Sequence, residues 1–149
     1  MERIQKYIAR CGVTSRRGAE ELIKQGRVGN LKGEIRLKEF INLIKQKFNV
    51  DNVRIVGNLD KKIKRIGIVG GSGSSFIRDA LNKGCDVLIT GDIKHHDAII
   101  ASVLGLNIID VGHFASEYLA VTYLLDIIKK SFDVECILTE TNKNPFAVL

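Results

Sequence analysis

The chain has 149 residues, of which 45% are apolar and 27% charged, with a mean hydropathy of +0.05. That balance suits one globular domain, alone or with a small appendage, and excludes disordered, collagen-like and low-complexity classes. The net charge of +6 is unevenly placed: residues 1–65 carry +10 and the remainder −4. A basic arm beside an acidic body suits either a polyanionic partner or a solvated face.

Taken in chain order, Ile4, Tyr7, Ile8 and Cys11 have helical spacing, and Gly12 ends that helix. Thr14 or Ser15 can cap a second helix with Ala19, Leu22 and Ile23 on its apolar side. Residues 29–34 read as loop. Leu37, Phe40, Ile41, Ile44 and Phe48 mark an amphipathic helix backed by lysines. A short strand is expected at 53–56, then a turn at Gly57–Asp60 and a basic run from Lys61 to Arg65.

From there the pattern alternates. Strands are expected at 65–69, 86–90, 107–111 and 134–139, with helices at about 75–83, 95–104 and 113–130 between them. Apolar strands linked by helices predict an α/β fold: a mostly parallel sheet with flanking helices, preceded by the small two-helix segment. Neither a membrane span nor a secretory signal is legible, since Glu2, Arg3, Lys6 and Arg10 leave no apolar run at the start. A cytoplasmic protein is the expectation. Cys11, Cys85 and Cys136 match no zinc spacing and read as buried thiols.

In such sheets chemistry gathers where strands end. Here those ends hold Gly70–Ser75, Gly91-Asp92 with His95 and His96, and Asp110 with His113 and Glu117. All three histidines of the chain lie in this set. His113 and Glu117, four apart, share one helix face, which suits a divalent metal or an ordinary helical hydrogen bond. Two ligands do not fill a coordination shell. Gly70, Gly71, Ser72, Gly73 and Ser74 form a turn that could present backbone N–H groups to an anion. It matches neither a Walker A loop nor the dinucleotide fingerprint, and it serves equally as a tight turn without a ligand. Asp92 beside His95 and His96 could orient water or move a proton; alternatively Asp92 caps the helix and the histidines are surface groups.

Four segments carry a resemblance: Gly26–Gly29, Lys64–Ser74, Ile89–Ala98 and Asp110–Glu117, with Asn144-Pro145-Phe146 closing it. Together they resemble the carboxyl-terminal part of the Nif-three-like (NGG-one-interacting factor three) family, whose bacterial members are often named GTP cyclohydrolase type 2 homologues. The resemblance implies an α/β fold, a pair of divalent metals bridged in a cleft, and subunits in ring-shaped hexamers; a neutral His nitrogen and a carboxylate suit zinc, manganese or iron. The resemblance makes His113 and Glu117 metal ligands, and Asp92, His95 and His96 candidates for catalysis in the same cleft. The family's other ligands, a His-His pair and an Asp, lie in an amino-terminal half that this sequence lacks.

Residues 1–28 instead resemble the start of the S-four-type RNA-binding domain of ribosomal pseudouridine synthases, carried by Arg3–Arg17 and Ala19–Ile23. The resemblance implies RNA phosphate contact through Arg3, Lys6, Arg10, Arg16 and Arg17. Two units follow: an S-four-like segment over 1–28 and a Nif-three-like domain over 29–149. Two functions follow as well. One is a partial metal-dependent hydrolase of a nucleotide or other phosphate-bearing small molecule, possible as a homo-oligomer. The other is an RNA-binding or interaction protein with a non-catalytic body.

Overall fold

The structure is a computed structural model and describes residues 27–139 and 143–146. The two-helix segment, Arg3, Lys6, Arg10, Arg16, Arg17 and Cys11 lie outside the described residues, and with them the RNA contacts expected there.

Among the described residues, ten elements follow one another. They are β1 (Arg27–Arg36), α1 (Leu37–Phe48), β2 (Arg54–Val56), β3 (Lys62–Ser72), a 3-10 turn (Ser74–Phe76), α2 (Ile77–Asn82), β4 (Val87–Gly91), α3 (His95–Val103), β5 (Asn107–Asp110) and α4 (His113–Ser131). The five strands form one sheet in the order β1-β3-β4-β5-β2. The pairs β3–β4 and β4–β5 are parallel, whereas β1–β3 and β5–β2 are antiparallel. The sheet is therefore mixed rather than mostly parallel: three parallel strands with an antiparallel strand on each edge. Hydrophobic periodicity fixes which residues face inward but carries no strand direction, which is why the orientation was not legible.

Two further expectations are corrected. Residues 29–34 are not loop but the middle of β1, which also spans the junction at residues 28 and 29. Leu31, Gly33 and Ile35 do alternate, but the glycine erases the apolar signal at the central position. The pairing of β1 with β3 also shifts register between Asn30 and Ile35, a bulge that breaks the regular pattern. Conversely, residues 134–139 are in no strand. Val134 and Ile137 stay exposed there, because a run of strand-forming residues becomes a strand only when another strand supplies its hydrogen bonds. Cys85 is buried, but Cys136 is only half-buried.

Both faces of the sheet are covered. On one, α1 contributes Leu37, Phe40 and Ile44 to a cluster with Ile63, Val87, Ile89, Ile109 and Val111. On the other, Ile77 and Ala80 of α2 and Ala101 of α3 pack on Val69, Leu88 and Ile108. All five residues of β4 are buried, as a central strand between two helical layers requires. Among the described residues, no helix is long and apolar enough to cross a membrane.

Candidate functional site

The carboxyl ends of β3, β4 and β5 point the same way, so the three loops that leave them share one edge of the sheet. Two of these loops come into contact. A Cβ added at Gly91 would lie 2.6 Å from the carbonyl carbon of Gly112 and 2.7 Å from the His113 nitrogen. Only a residue without a side chain lets the Gly91-Asp92 turn approach the start of α4 this closely.

That approach brings Asp92 to His113. The His113 Nδ1 lies 2.6 Å from Asp92 Oδ2, and its Nε2 lies 3.2 Å from Glu117 Oε1. The imidazole is thus held between two carboxylates, one from the β4 loop and one from the next turn of its own helix. Asp92 does not cap α3. The capping position is Lys94, which makes no side-chain cap bond, and the Asp92 carboxylate is given to His113. Asp92 adopts φ 54°, a left-handed conformation uncommon outside glycine, and this turns its side chain across the cleft. Partial burial pulls the His113 pKa down. The hydrogen bond to Asp92 and the negative charges of Glu117 and Asp92 more than offset it, and the pKa ends above its ordinary value of 6.5.

Gly71, near the end of β3, forms the third wall. A Cβ there would sit 2.7 Å from Glu117 Oε1 and 3.3 Å from His113 Nε2, so the missing side chain leaves room at the two donor atoms. The backbone of Gly71 is fully engaged. Its N–H donates to Ser116 Oγ at 2.9 Å, and its carbonyl accepts from Thr90 Oγ1 at 3.0 Å. Ser116 Oγ in turn donates to the His113 carbonyl at 2.8 Å. Gly70 and Ser72 are exposed strand positions, Gly73 packs against Thr90, and Ser74 opens the 3-10 turn. His95 and His96 stand exposed at the start of α3, their rings 6.1 Å apart. The cluster thus gathers Asp92, His113, Glu117 and Gly71. His95 and His96 make no contact with it that the structure records. Ser116 and Thr90 were not singled out in the sequence, where small hydroxyl residues in apolar contexts give no pattern of their own.

The donor chemistry fits a divalent cation. Two protein atoms, each about 2.0–2.1 Å from a tetrahedral zinc, lie roughly 3.4 Å apart, close to the 3.2 Å between His113 Nε2 and Glu117 Oε1. Asp92 on the far nitrogen is the partner that fixes the ring's tautomer in many metal sites. Among the described residues, no group of three or more His, Cys, Asp or Glu converges as a shell. Asp92 is directed to the other side of the ring, so the site offers two donors rather than three.

A family model described as Duf34/NIF3 (NGG1p interacting factor 3) matches residues 5–145. A Bacillus subtilis protein named GTP cyclohydrolase 1 type 2 homolog is 43% identical over 128 residues, covering 83% of this chain and 34% of that protein. A Clostridium perfringens protein of the same name is 42% identical over 123 residues, covering 81% and 47%. Among solved structures, a Bacillus cereus protein related to NIF3 has a TM-score of 0.72 at 34% identity, over 83% of this chain and 36% of that one. A Staphylococcus aureus hypothetical protein also has a TM-score of 0.72, at 33% identity, over 89% and 51%. The chain therefore spans about a third to a half of the length of these curated relatives. The matched stretch begins at residue 5 and so takes in most of the segment that resembles an RNA-binding domain.

Proposed function

The chain belongs to the Duf34/NIF3 family, whose members are typically metal-binding, and we propose that it contributes His113 and Glu117 as one half of a divalent-metal site. The carrying observation is the 3.2 Å separation of His113 Nε2 and Glu117 Oε1 while Asp92 occupies Nδ1. With the proton on Nδ1, a lone pair on Nε2 faces a carboxylate. Two acceptors this close are reconciled by a proton or by a cation, and Gly71 leaves room for the cation. Asp92 holds the ring in the tautomer that frees Nε2. Glu117 supplies negative charge, and Ser116 ties the first turn of α4 to the end of β3.

A metal bound here would act as a Lewis acid and lower the pKa of bound water. The reaction class is hydrolysis of a nucleotide-like or other phosphate-bearing small molecule, a reading supported by the name of the curated relatives. Two donors from this segment hold a cation weakly, since stable protein sites use three or more. The chain alone therefore binds at most one metal and turns over little or no GTP.

The test is a zinc and manganese titration of the purified chain against a chromophoric chelator, with a GTP hydrolysis assay alongside. A His113→Ala, Glu117→Ala double variant serves as control. Weak binding of one metal, lost in the double variant, is the expected result. Binding that survives the double substitution removes these residues from the site. Robust GTP turnover that the double variant abolishes shows that the two donors suffice for catalysis.

A further inference from the structure

The contact between Asp92 and His113 depends on two loops staying in register, and one buried carboxylate reaches both. Asp110 ends β5, directly opposite Arg54 of β2 in the antiparallel pair. Its side chain is 3% exposed. One oxygen, Oδ1, accepts the backbone N–H of Gly112 at 2.9 Å, and the other, Oδ2, accepts the backbone N–H of Ile93 at 2.9 Å. Gly112 immediately precedes His113, and Ile93 immediately follows Asp92. The Arg54 guanidinium closes the arrangement: the same nitrogen bonds Asp110 Oδ2 and donates to the Ile93 carbonyl at 2.9 Å. Ile93 is thus held by both its N–H and its C=O.

We propose that Arg54 and Asp110 form a positioning clasp for the metal-donor pair, setting the spacing of the Asp92 and His113 loops and thereby the tautomer of His113. The proposal rests on the reading of His113 and Glu117 as metal donors, but its central claim, control of the imidazole, can be checked without metal. Three physical points support it. A buried carboxylate needs compensation, and here it receives two N–H donors and a cation. Asp92 sits in a left-handed conformation, which aspartate adopts more readily than most residues but still at a cost that neighbouring contacts offset. The clasp supplies such contacts at the next residue. Which imidazole nitrogen carries the proton is set by the bond that nitrogen makes. A loop shift that lengthens the 2.6 Å Asp92–His113 contact therefore releases Nδ1–H as the enforced tautomer.

The Arg54 side chain is 68% exposed, so Arg54→Ala removes the clasp's cation without opening the core. Arg54→Lys keeps a cation and can restore part of the contact, since one Arg nitrogen serves both acceptors. Asp86→Asn is the control. The Asp86 carboxylate also holds two backbone N–H groups, those of Lys64 and Arg65. Lys64 and Arg65 lie near the amino end of β3 and Asp86 just before β4, away from the His113 loop, so the variant removes the charge from a comparable pair of N–H contacts without touching the site.

Two readouts are made on each purified variant. Long-range proton–nitrogen NMR of the neutral imidazole reports the His113 tautomer in metal-free protein, and zinc competition reports affinity. In the unsubstituted chain His113 should be the Nδ1–H form. In Arg54→Ala it should move toward Nε2–H, with zinc affinity falling roughly ten- to a hundredfold. Arg54→Lys should recover part of both, and Asp86→Asn should change neither even if its melting temperature drops. An unchanged tautomer in Arg54→Ala overturns the clasp, as does a shift of equal size in Asp86→Asn. If the tautomer shifts but the unsubstituted chain binds no zinc, the clasp stands and the metal reading falls.

Discussion

Gly71 offers the sharpest test of how the site is built, because its replacement by alanine should separate a backbone cost from a loss at the donor atoms. Gly71 has φ +66°, where a β-carbon is disfavoured. Holding an L-residue there costs about 1–2 kcal/mol. The new methyl would also fall 2.7 Å from Glu117 Oε1 and 3.3 Å from His113 Nε2. Neither contact is with backbone, and the Glu117 side chain is 59% exposed, so the carboxylate can swing into solvent at little expense. The Gly71 N–H and C=O bonds to Ser116 and Thr90 involve no side chain of residue 71 and survive. The total loss of stability should therefore stay near about 1–2 kcal/mol. Urea unfolding followed by circular dichroism measures it. Zinc competition should meanwhile show Gly71→Ala falling to the affinity of Glu117→Ala, because both leave His113 without its neighbour. Gly33→Ala is the reference: no atom lies within 4 Å of its Cβ and its φ is not positive, so stability should hold or rise by up to about 1 kcal/mol. If Gly71→Ala is as stable as the unsubstituted chain and binds zinc equally well, neither the strain nor the cradle is real.

Three other outcomes are expected. In metal-free protein the His113 imidazole should titrate above pH 6.5 by NMR, and Asp92→Asn should lower that midpoint, since it removes the bond and the charge that raise it. Because the folded pKa is the higher one, this cluster's contribution to stability is present below the unfolded value near 6.5 and lost as pH rises through the folded value. Thr90→Val should cost about 1–3 kcal/mol in chemical unfolding, because Thr90 is fully buried and its hydroxyl is a hydrogen-bond donor to the Gly71 carbonyl. Burial pushes the Cys85 thiol pKa up, so peptide mapping after brief alkylation at neutral pH should find Cys136 modified well before Cys85.

Several members of the cluster were legible in the sequence. The spacing of His113 and Glu117 puts them on one helix face and leaves a metal or a plain hydrogen bond open, and Asp92 follows an apolar strand. What the pattern could not supply was distance in three dimensions. Whether Asp92 caps α3 or crosses to His113 depends on Gly91 allowing two loops to touch, and no local signal encodes that contact. Arg54 was invisible for a related reason: an exposed arginine on a three-residue strand looks like any surface charge until Asp110 is placed opposite it. The fold divides similarly. From Ile66 to Lys130, alternating strand and helix periods carry the order of elements, but β3 runs Lys62–Ser72, beyond the expected 65–69 at both ends, because its lysines and glycines mask the alternation. β1 was hidden because Gly29, Asn30 and Gly33 have the chemistry of a turn. The run at 134–139 misled because strand-forming residues are necessary but not sufficient for a strand.

The two antiparallel margins of the sheet also bear on how these molecules behave in a crowd. An open row of backbone donors and acceptors invites another chain to add itself, and long flat margins are where fibrillar growth begins. Here one margin, β2, offers only three residues. The other, β1, breaks its register near the middle and carries Lys32, Glu34 and Arg36 along its exposed length, with Glu34 3.9 Å from Lys62 of the neighbouring strand. A copy approaching either side meets too short a template or a kinked, charged one. Templated stacking of copies through these margins is therefore discouraged at both ends, and concentrated solutions should resist seeding by strand addition there.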